Sequence, residues 1–351
     1  MIPHYLHGSG VLQVQARRAY IDITYKGYNI SKDIAADLLS FTYTDNASDN
    51  ADDIEITLKD EKLKWLTAWF PEKGDMIEAT LNTINWNKDG EKRALKCGSF
   101  VVDAPEYSGR PRVMSLKGIS TPSNSNFTQT KKSRAWENIY FSSIAGDIAR
   151  SAGLDLFFDS TYNPFYGRQD QSDTSDMSFL SELSKNAGFC FKVTDKTIVI
   201  FNAAEYERKP TVEEINETDS KLQGYSFSTS DTNTGYAGCR LKYRNPKNGQ
   251  FIDYLFTVKE LEEDDKVYEL NEYASSIDEA KNRAQAKLRE LNKKEFTASL
   301  SLVGDTRIVA GVNVELVGFG GYSGKYFIDK ATHSIPGYNV DIEAHKVLEG
   351  Y

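Results

Sequence analysis

Four short runs near the end of the chain, over 296–303, 312–317, 325–332 and 338–344, read as strands, with apolar and polar residues alternating over 296–303 and at Val312, Val314 and Leu316. Gly304-Asp305, a glycine-rich stretch over 318–324 and Pro336-Gly337 separate them. A side-chain period of two puts one face of each run in a core and the other in water, which predicts four half-buried strands. The same grammar has already occurred once, between residues 54 and 120.

Upstream, residues 1–16 are polar and read as an N-terminal arm. Residues 20–25 alternate, turn at Lys26-Gly27 and return over 28–30, a hairpin signal. Strands over 39–44 and 54–58 follow. Leu63, Trp65, Leu66 and Trp69 then predict a short helix over 62–70. Strands over 76–86, 97–104 and 112–118 complete a first β domain over 17–120.

The Ser/Thr/Asn-rich stretch 120–132 reads as a linker. A helix over 143–152 stops at Gly153, and a second is N-capped by Asp176 and ended by Gly188. With strands over 154–158, 189–193 and 197–201, the last two joined at Asp195-Lys196, they predict a small α+β domain over 121–205. The charged stretch 206–220 reads as a second linker. Strands over 224–228, 238–243 and 251–258 follow, with a turn over 245–249. The strongest helix spans 276–291. Ser276 and Glu279 carry a capping-box signature, and Ile277, Ala280, Ala284, Leu288 and Leu291 line one face. It belongs to a second β domain over 206–351.

Set side by side, the two β domains look like copies. Gly74–Glu78 matches Gly311–Glu315, and Gly98–Asp103 matches Gly324–Asp329. Residues 113–117 align with 340–344, and 54–58 with 297–301. The alternative is two unrelated β domains sharing a hairpin grammar. The expected fold is mainly β with an α+β insertion: two similar antiparallel, tube-like β-barrels flanking a small α+β domain.

Composition narrows the functions. The 351 residues are 40% hydrophobic and 12% aromatic, which suits a folded chain. A net charge of -9 argues against sequence-independent nucleic-acid binding, which runs on phosphate neutralisation. The N-terminus has neither the basic nor the apolar region of a signal peptide, and no run approaches the roughly 18 apolar residues of a membrane span. Cys97, Cys190 and Cys239 are odd in number and widely spaced, as in reduced thiols of a protein made in the cytoplasm.

Candidate chemistry is sparse. Gly318 to Lys325 resembles a phosphate loop only superficially, because Phe319 and Tyr326 occupy positions that need Gly and Ser or Thr. A hairpin loop is the better reading. No two of His4, His7, His333 and His345 have metalloprotease spacing, and the cysteines offer no paired ligands. The acidic run 260–265 reads as a solvated loop. No catalytic, cofactor-binding or metal-ligating residue is assigned, and no cofactor is expected.

Several longer motifs carry a family resemblance: Ser133-Arg-Ala-Trp-Glu137, the run 144–153, the run 171–180 with Ala187-Gly188, and Gly324–Asp329 with His333-Ser334. Through them the chain resembles the baseplate hub proteins of contractile phage tails and tail-like particles, the late control D group. The resemblance implies a structural protein, not an enzyme: a homotrimer whose two barrels per chain form a pseudo-sixfold ring joining a hexameric tail tube to a trimeric spike. It implies a virion or particle baseplate, assembled in the bacterial cytoplasm. Partners would be the tube ring, the spike, other baseplate proteins and the tape-measure protein, with DNA only as passing cargo and no membrane insertion. The chain ends at Tyr351 without a fused spike or lytic domain, so these are expected on separate polypeptides. Two other readings compete: a tail protein that binds peptidoglycan through the middle domain or cleaves it with a carboxylate pair, and a spike-bearing secretion-system protein. The channel wall is expected to be polar and not strongly basic.

Overall fold

In the computed structural model, residues 16–351 are described apart from 121–124, 195, 231, 233, 245–248 and 250. The expected N-terminal arm, His4, His7, Asp195 and most of the turn over 245–249 lie outside the described residues.

The first β unit contains β1 (Arg18–Tyr25), β2 (Tyr28–Asn29), the one-turn α1 (Ser31–Ile34), β3 (Leu38–Asn46), β4 (Asp53–Lys59), β5 (Met76–Ile84), β6 (Lys92–Ser108) and β7 (Val113–Ile119). The helix expected over 62–70 is a series of turns. The Asp60 carboxylate accepts the amides of Lys64 (2.8 Å) and Trp65 (3.2 Å), and Leu63 takes a left-handed φ of 58°. Local capping of this kind competes with helix propagation. Trp65 is instead pinned in the core beside Tyr25.

The middle unit runs through α2 (Ser125–Thr128), β8 (Lys131–Tyr140), α3 (Phe141–Ala152), β9 (Asp155–Asp159), β10 (Phe165–Ser175), α4 (Asp176–Asn186), β11 (Phe189–Thr194), β12 (Thr197–Asn202) and α5 (Ala203–Glu207). Gly153 adopts φ 66°, the left-handed cap that its sequence position predicts. The cap of α4 is Ser175, whose Oγ accepts the Ser178 amide at 3.2 Å, so the N-cap falls one residue before the expected Asp176. β8 and β10 form a long two-stranded ribbon outside the expected strands, and only Lys131 and Lys132 of it fall within the stretch read as a linker.

The last unit contains β13 (Thr211–Asn216), β14 (Leu222–Thr229), β15 (Gly238–Arg244), β16 (Phe251–Thr257), β17 (Val267–Leu270), α6 (Ile277–Asn292), β18 (Phe296–Val303), β19 (Asn313–Val317), β20 (Gly324–Ile335) and β21 (Asn339–Lys346). The stretch read as a linker over 206–220 supplies β13, which pairs in parallel with β19 and buries Ile215. Ser276 caps α6 by accepting the Glu279 amide. The helix packs on its own small sheet, β16-β15-β17, through Ala280, Ala284 and Leu288, while Ile277 at the expected stripe stays 64% exposed.

Most of the remaining strands belong to one sheet, ordered β14-β18-β21-β20-β3-β4-β7-β6-β5-β1-β2, with β19 and β13 branching from β20. Two separate barrels are therefore not what the pairing shows. The halves share a seam where β20 runs antiparallel to β3, from Lys330 opposite Asn46 to Ile335 opposite Phe41. An isolated barrel would have to close on itself, whereas each half here spends an edge on its neighbour.

The internal repeat is present in the strand pairing. Five strands in each half follow one order, β3-β4-β7-β6-β5 and β14-β18-β21-β20-β19. Met76 faces Val101 and Ala79 faces Gly98; in the second half Asn313 faces Phe327 and Leu316 faces Gly324. These are the pairs that the matched Gly74–Glu78 and Gly311–Glu315 motifs require. Bulges recur as well. The register shifts between Val102 and Ala104 and between Ile328 and Lys330, and again between Leu38 and Ser40 and between Leu222 and Gly224. Bulges are placed features of a sheet, so two shared ones weigh heavily. The register also corrects the alignment by one residue at two strands. Ile54 corresponds to Ala298, and Val113 to Asn339. A slip of one would have turned buried Ile54, Ile56 and Leu58 onto the face of exposed residues.

Candidate assembly surface

Strand alternation gives the sheet one apolar and one polar face. Ile54, Ile56, Met114 and Leu116 enter the first core, and Leu300, Leu302, Val340 and Ile342 the second. The alternate positions line two adjoining shallow grooves of about 620 and 540 Å³. The first holds Asp53, Glu55, Asp103, Lys117, Thr44 and Asn46. The second holds Ser226, Ser299, Ser301, Thr332 and Asp341, and Lys330 and Glu343 belong to both. Lys330 pairs with Glu343 at 2.9 Å, and Ser301 Oγ donates to Asp341 at 2.5 Å. Burial raises the Asp53 carboxyl above its usual range, while a hydrogen bond from Thr44 opposes that rise. This face is hydroxyl-rich with interspersed charge of both signs. Neither groove is lined by a histidine or cysteine.

Two ionic clusters fix the units around the sheet, and a third braces the middle unit internally. Lys192 of β11 reaches Asp45 at 2.7 Å and Asp52 at 3.3 Å, tying the middle unit to the end of β3. Burial pushes Asp52 up, whereas Lys192, though desolvated, is held above its ordinary value by the two carboxylates. Close by, where Ala47 N–H donates to Asp329 O, His345 of β21 bonds Asp329 through Nδ1 (2.7 Å) and Glu207 through Nε2 (3.4 Å), and Arg289 of α6 bonds Glu207 at 2.5 Å. Burial disfavours the imidazolium, but the two carboxylates raise His345 to about 9. The third cluster joins the sequence motifs around Arg134 and Gln171. Asp176, fully buried, accepts from Lys132 (2.5 Å) and Arg134 (2.6 Å), and Arg134 also donates to Gln171 at 2.9 Å. Trp136 stacks on Phe179 at 5.4 Å. These motifs therefore staple the β8–β10 ribbon to α4. The spacing of single motifs in sequence gave no sign of either of the other two clusters.

The glycine-rich loop closes the rim of the second core. Gly318, Gly320 and Gly324 take positive φ, and Tyr322 stacks on Phe227 at 4.7 Å. Lys325, the would-be phosphate lysine, donates to the Lys209 carbonyl at 2.6 Å. His333 is buried at the seam, 3.0 Å from the Tyr338 hydroxyl and stacked on Tyr43, and burial lowers its pKa to about 4. Among the described residues no group of His, Cys, Asp and Glu could hold a metal, and no helix is long and apolar enough to cross a membrane.

No protein-family model matches the chain. The chain superposes on the 43 kDa tail protein of prophage MuSo2 from Shewanella oneidensis with a TM-score of 0.68 and 13% identity, covering 94% of this chain and 99% of that one. This is a phage tail protein fold. In sequence the chain is 23% identical over 241 residues to the probable baseplate hub protein of Escherichia phage 186, and 26% identical over 232 residues to that of Escherichia phage P2. The alignments cover 68% and 62% of this chain but 59% and 55% of the relatives, so it spans less than two thirds of their length. The resemblance read from the sequence motifs is thus met by curated homologues that carry the hub name.

Proposed function

We propose that this chain is the structural hub of a contractile-tail baseplate. It acts as a homotrimer whose six repeats form a ring between the hexameric tail tube and a trimeric spike. The observation that carries this reading is the five-strand repeat with matching register and shared bulges. Two near-equivalent units per chain let a threefold assembly present six similar surfaces, which reconciles a sixfold partner with a threefold one. Barrel closure is then a property of the ring, not of the single chain, and the open sheet of one chain is its expected form. The hydroxyl-rich face with mixed charge becomes the channel wall. It offers passing cargo no dense array of cations to bind, in keeping with the net charge of -9. The middle unit, held by Lys192 and its carboxylates, faces neighbouring baseplate proteins. The role is geometric and needs no catalysis.

Light scattering on the purified chain tests this. The reading expects three times the 39.5 kDa chain mass. A mass of one chain at every concentration contradicts it.

A further inference from the structure

The seam inside the chain is a template for a second seam that the chain leaves open. On the outer edge of β20, Ile328 pairs with the β19 side: its N–H donates to Val312 O and its carbonyl accepts from Gly311 N, both at 2.9 Å. Past the bulge β3 takes over, beginning with Ala47 N–H donating to Asp329 O at 2.8 Å. β6 repeats the first half of this arrangement. Val102 donates to Asp75 O (2.8 Å) and accepts from Gly74 N (3.0 Å), and the bulge follows. Beyond it, no strand among the described residues pairs with that edge of β6. β14, the counterpart of β3, is likewise unpaired on the side away from β18 among the described residues.

We infer that residues 104–109, the end of β6 and the residue after it, receive residues 225–230 of a second copy of this chain, antiparallel, in the register of the internal seam. This rests on the trimer reading and deepens it by naming the joint. Carrying the register across sets Glu106 opposite Ser228, Tyr107 opposite Phe227 and Ser108 opposite Ser226, as Thr332, His333 and Ser334 stand opposite Thr44, Tyr43 and Thr42. No like charges meet.

Burial agrees with the assignment. Phe41 and Tyr43 are buried at the internal seam, whereas Tyr225, the counterpart of Phe41, is 48% exposed. Tyr107 is half-buried where its counterpart His333 is fully buried. The stack of His333 on Tyr43, with centroids 6.1 Å apart, would be matched by Tyr107 on Phe227 of the second copy. The backbone polarity is also right. Ser230 N–H turns inward to Glu295 O, so by strand alternation Phe227 and Tyr225 present their N–H and C=O groups outward. Pro105 costs the joint one ladder bond, and a proline on an open edge discourages pairing with other strands.

Cysteine cross-linking tests the register. Glu106→Cys and Ser228→Cys, both at exposed positions, are placed in one chain. Oxidation is read on non-reducing gels against the parent chain, whose Cys97, Cys190 and Cys239 are unpaired. The expected product is a covalent trimer, formed roughly tenfold faster than by Glu106→Cys with Ser226→Cys, whose Cα separation is too long for an unstrained disulfide. As a second variant, Tyr225→Pro removes an outward donor. It should reduce the native mass threefold while leaving the circular dichroism spectrum unchanged. A trimer by light scattering that shows no in-register cross-link, or that survives Tyr225→Pro, overturns the joint and leaves the hub reading standing. A monomer without cross-links overturns both.

Discussion

His345 makes the stability of this fold depend on alkaline pH in a way that can be calculated. The residue is 4% exposed and its ring lies among Asp329 of β20, Glu207 of α5 and, through Glu207, Arg289 of α6. The carboxylates raise its pKa from 6.5 to about 9. A group raised in the folded state contributes its full stabilisation below its unfolded pKa and loses it as pH climbs through the folded one. The window therefore runs from about 6.5 to about 9. At 1.36 kcal/mol per unit, the loss across it is roughly 3 kcal/mol. Glu207 stays ionised throughout, since His345 and Arg289 lower its pKa despite its burial. The assay is urea unfolding followed by tryptophan fluorescence at several pH values, for the parent chain and for His345→Gln. Subtracting the two curves removes the lysine and tyrosine titrations common to both. The parent should lose about 3 kcal/mol more than the variant between about pH 6 and pH 10. Parallel curves would refute the reasoning.

Gly304 predicts a steric effect at the seam. A Cβ there would sit 2.5 Å from three atoms of the Tyr338 ring, which is wedged between Trp86 and His333. Gly304→Ala should cost about 1–3 kcal/mol in the same unfolding assay, and an unchanged midpoint would show that the ring has room to move. Lys192→Met strands Asp45 and Asp52 without their cation and should cost about 3–5 kcal/mol, with faster hydrogen exchange confined to the junction of β11 and β3. Uniform exchange across the chain would argue that Lys192 does not hold that junction. Purified peptidoglycan should show no fall in turbidity on addition of the chain, and clearing would favour the lytic reading over the hub.

Much of the architecture was legible because period-two alternation survives in single sequences. The runs over 54–58 and 296–303 show it, and so does the matching of Gly98–Asp103 with Gly324–Asp329. Register was not legible: glycine and aspartate mark turns and bulges, but they do not say which face an adjacent strand buries, so motif matching leaves two strands one residue out. β13 was hidden because only Ile215 is deeply buried among charged neighbours in its short segment. The seam between β20 and β3 joins residues almost 300 positions apart, and no local signal encodes that pairing. The α6 stripe meets the core at its centre but not at its N-terminal end. Ala280, Ala284 and Leu288 find the small sheet, while Ile277 extends past it. The clusters around Lys192 and His345 draw their members from several elements, so they come together only in the folded chain.

The most direct measurement is electron cryo-microscopy of intact tails, reading the symmetry at the tip of the tube. A hub built as proposed appears as a threefold ring in which six copies of the five-strand repeat lie at one radius, between the tube and the spike. Six whole chains around the axis, or a position away from it, would contradict the account.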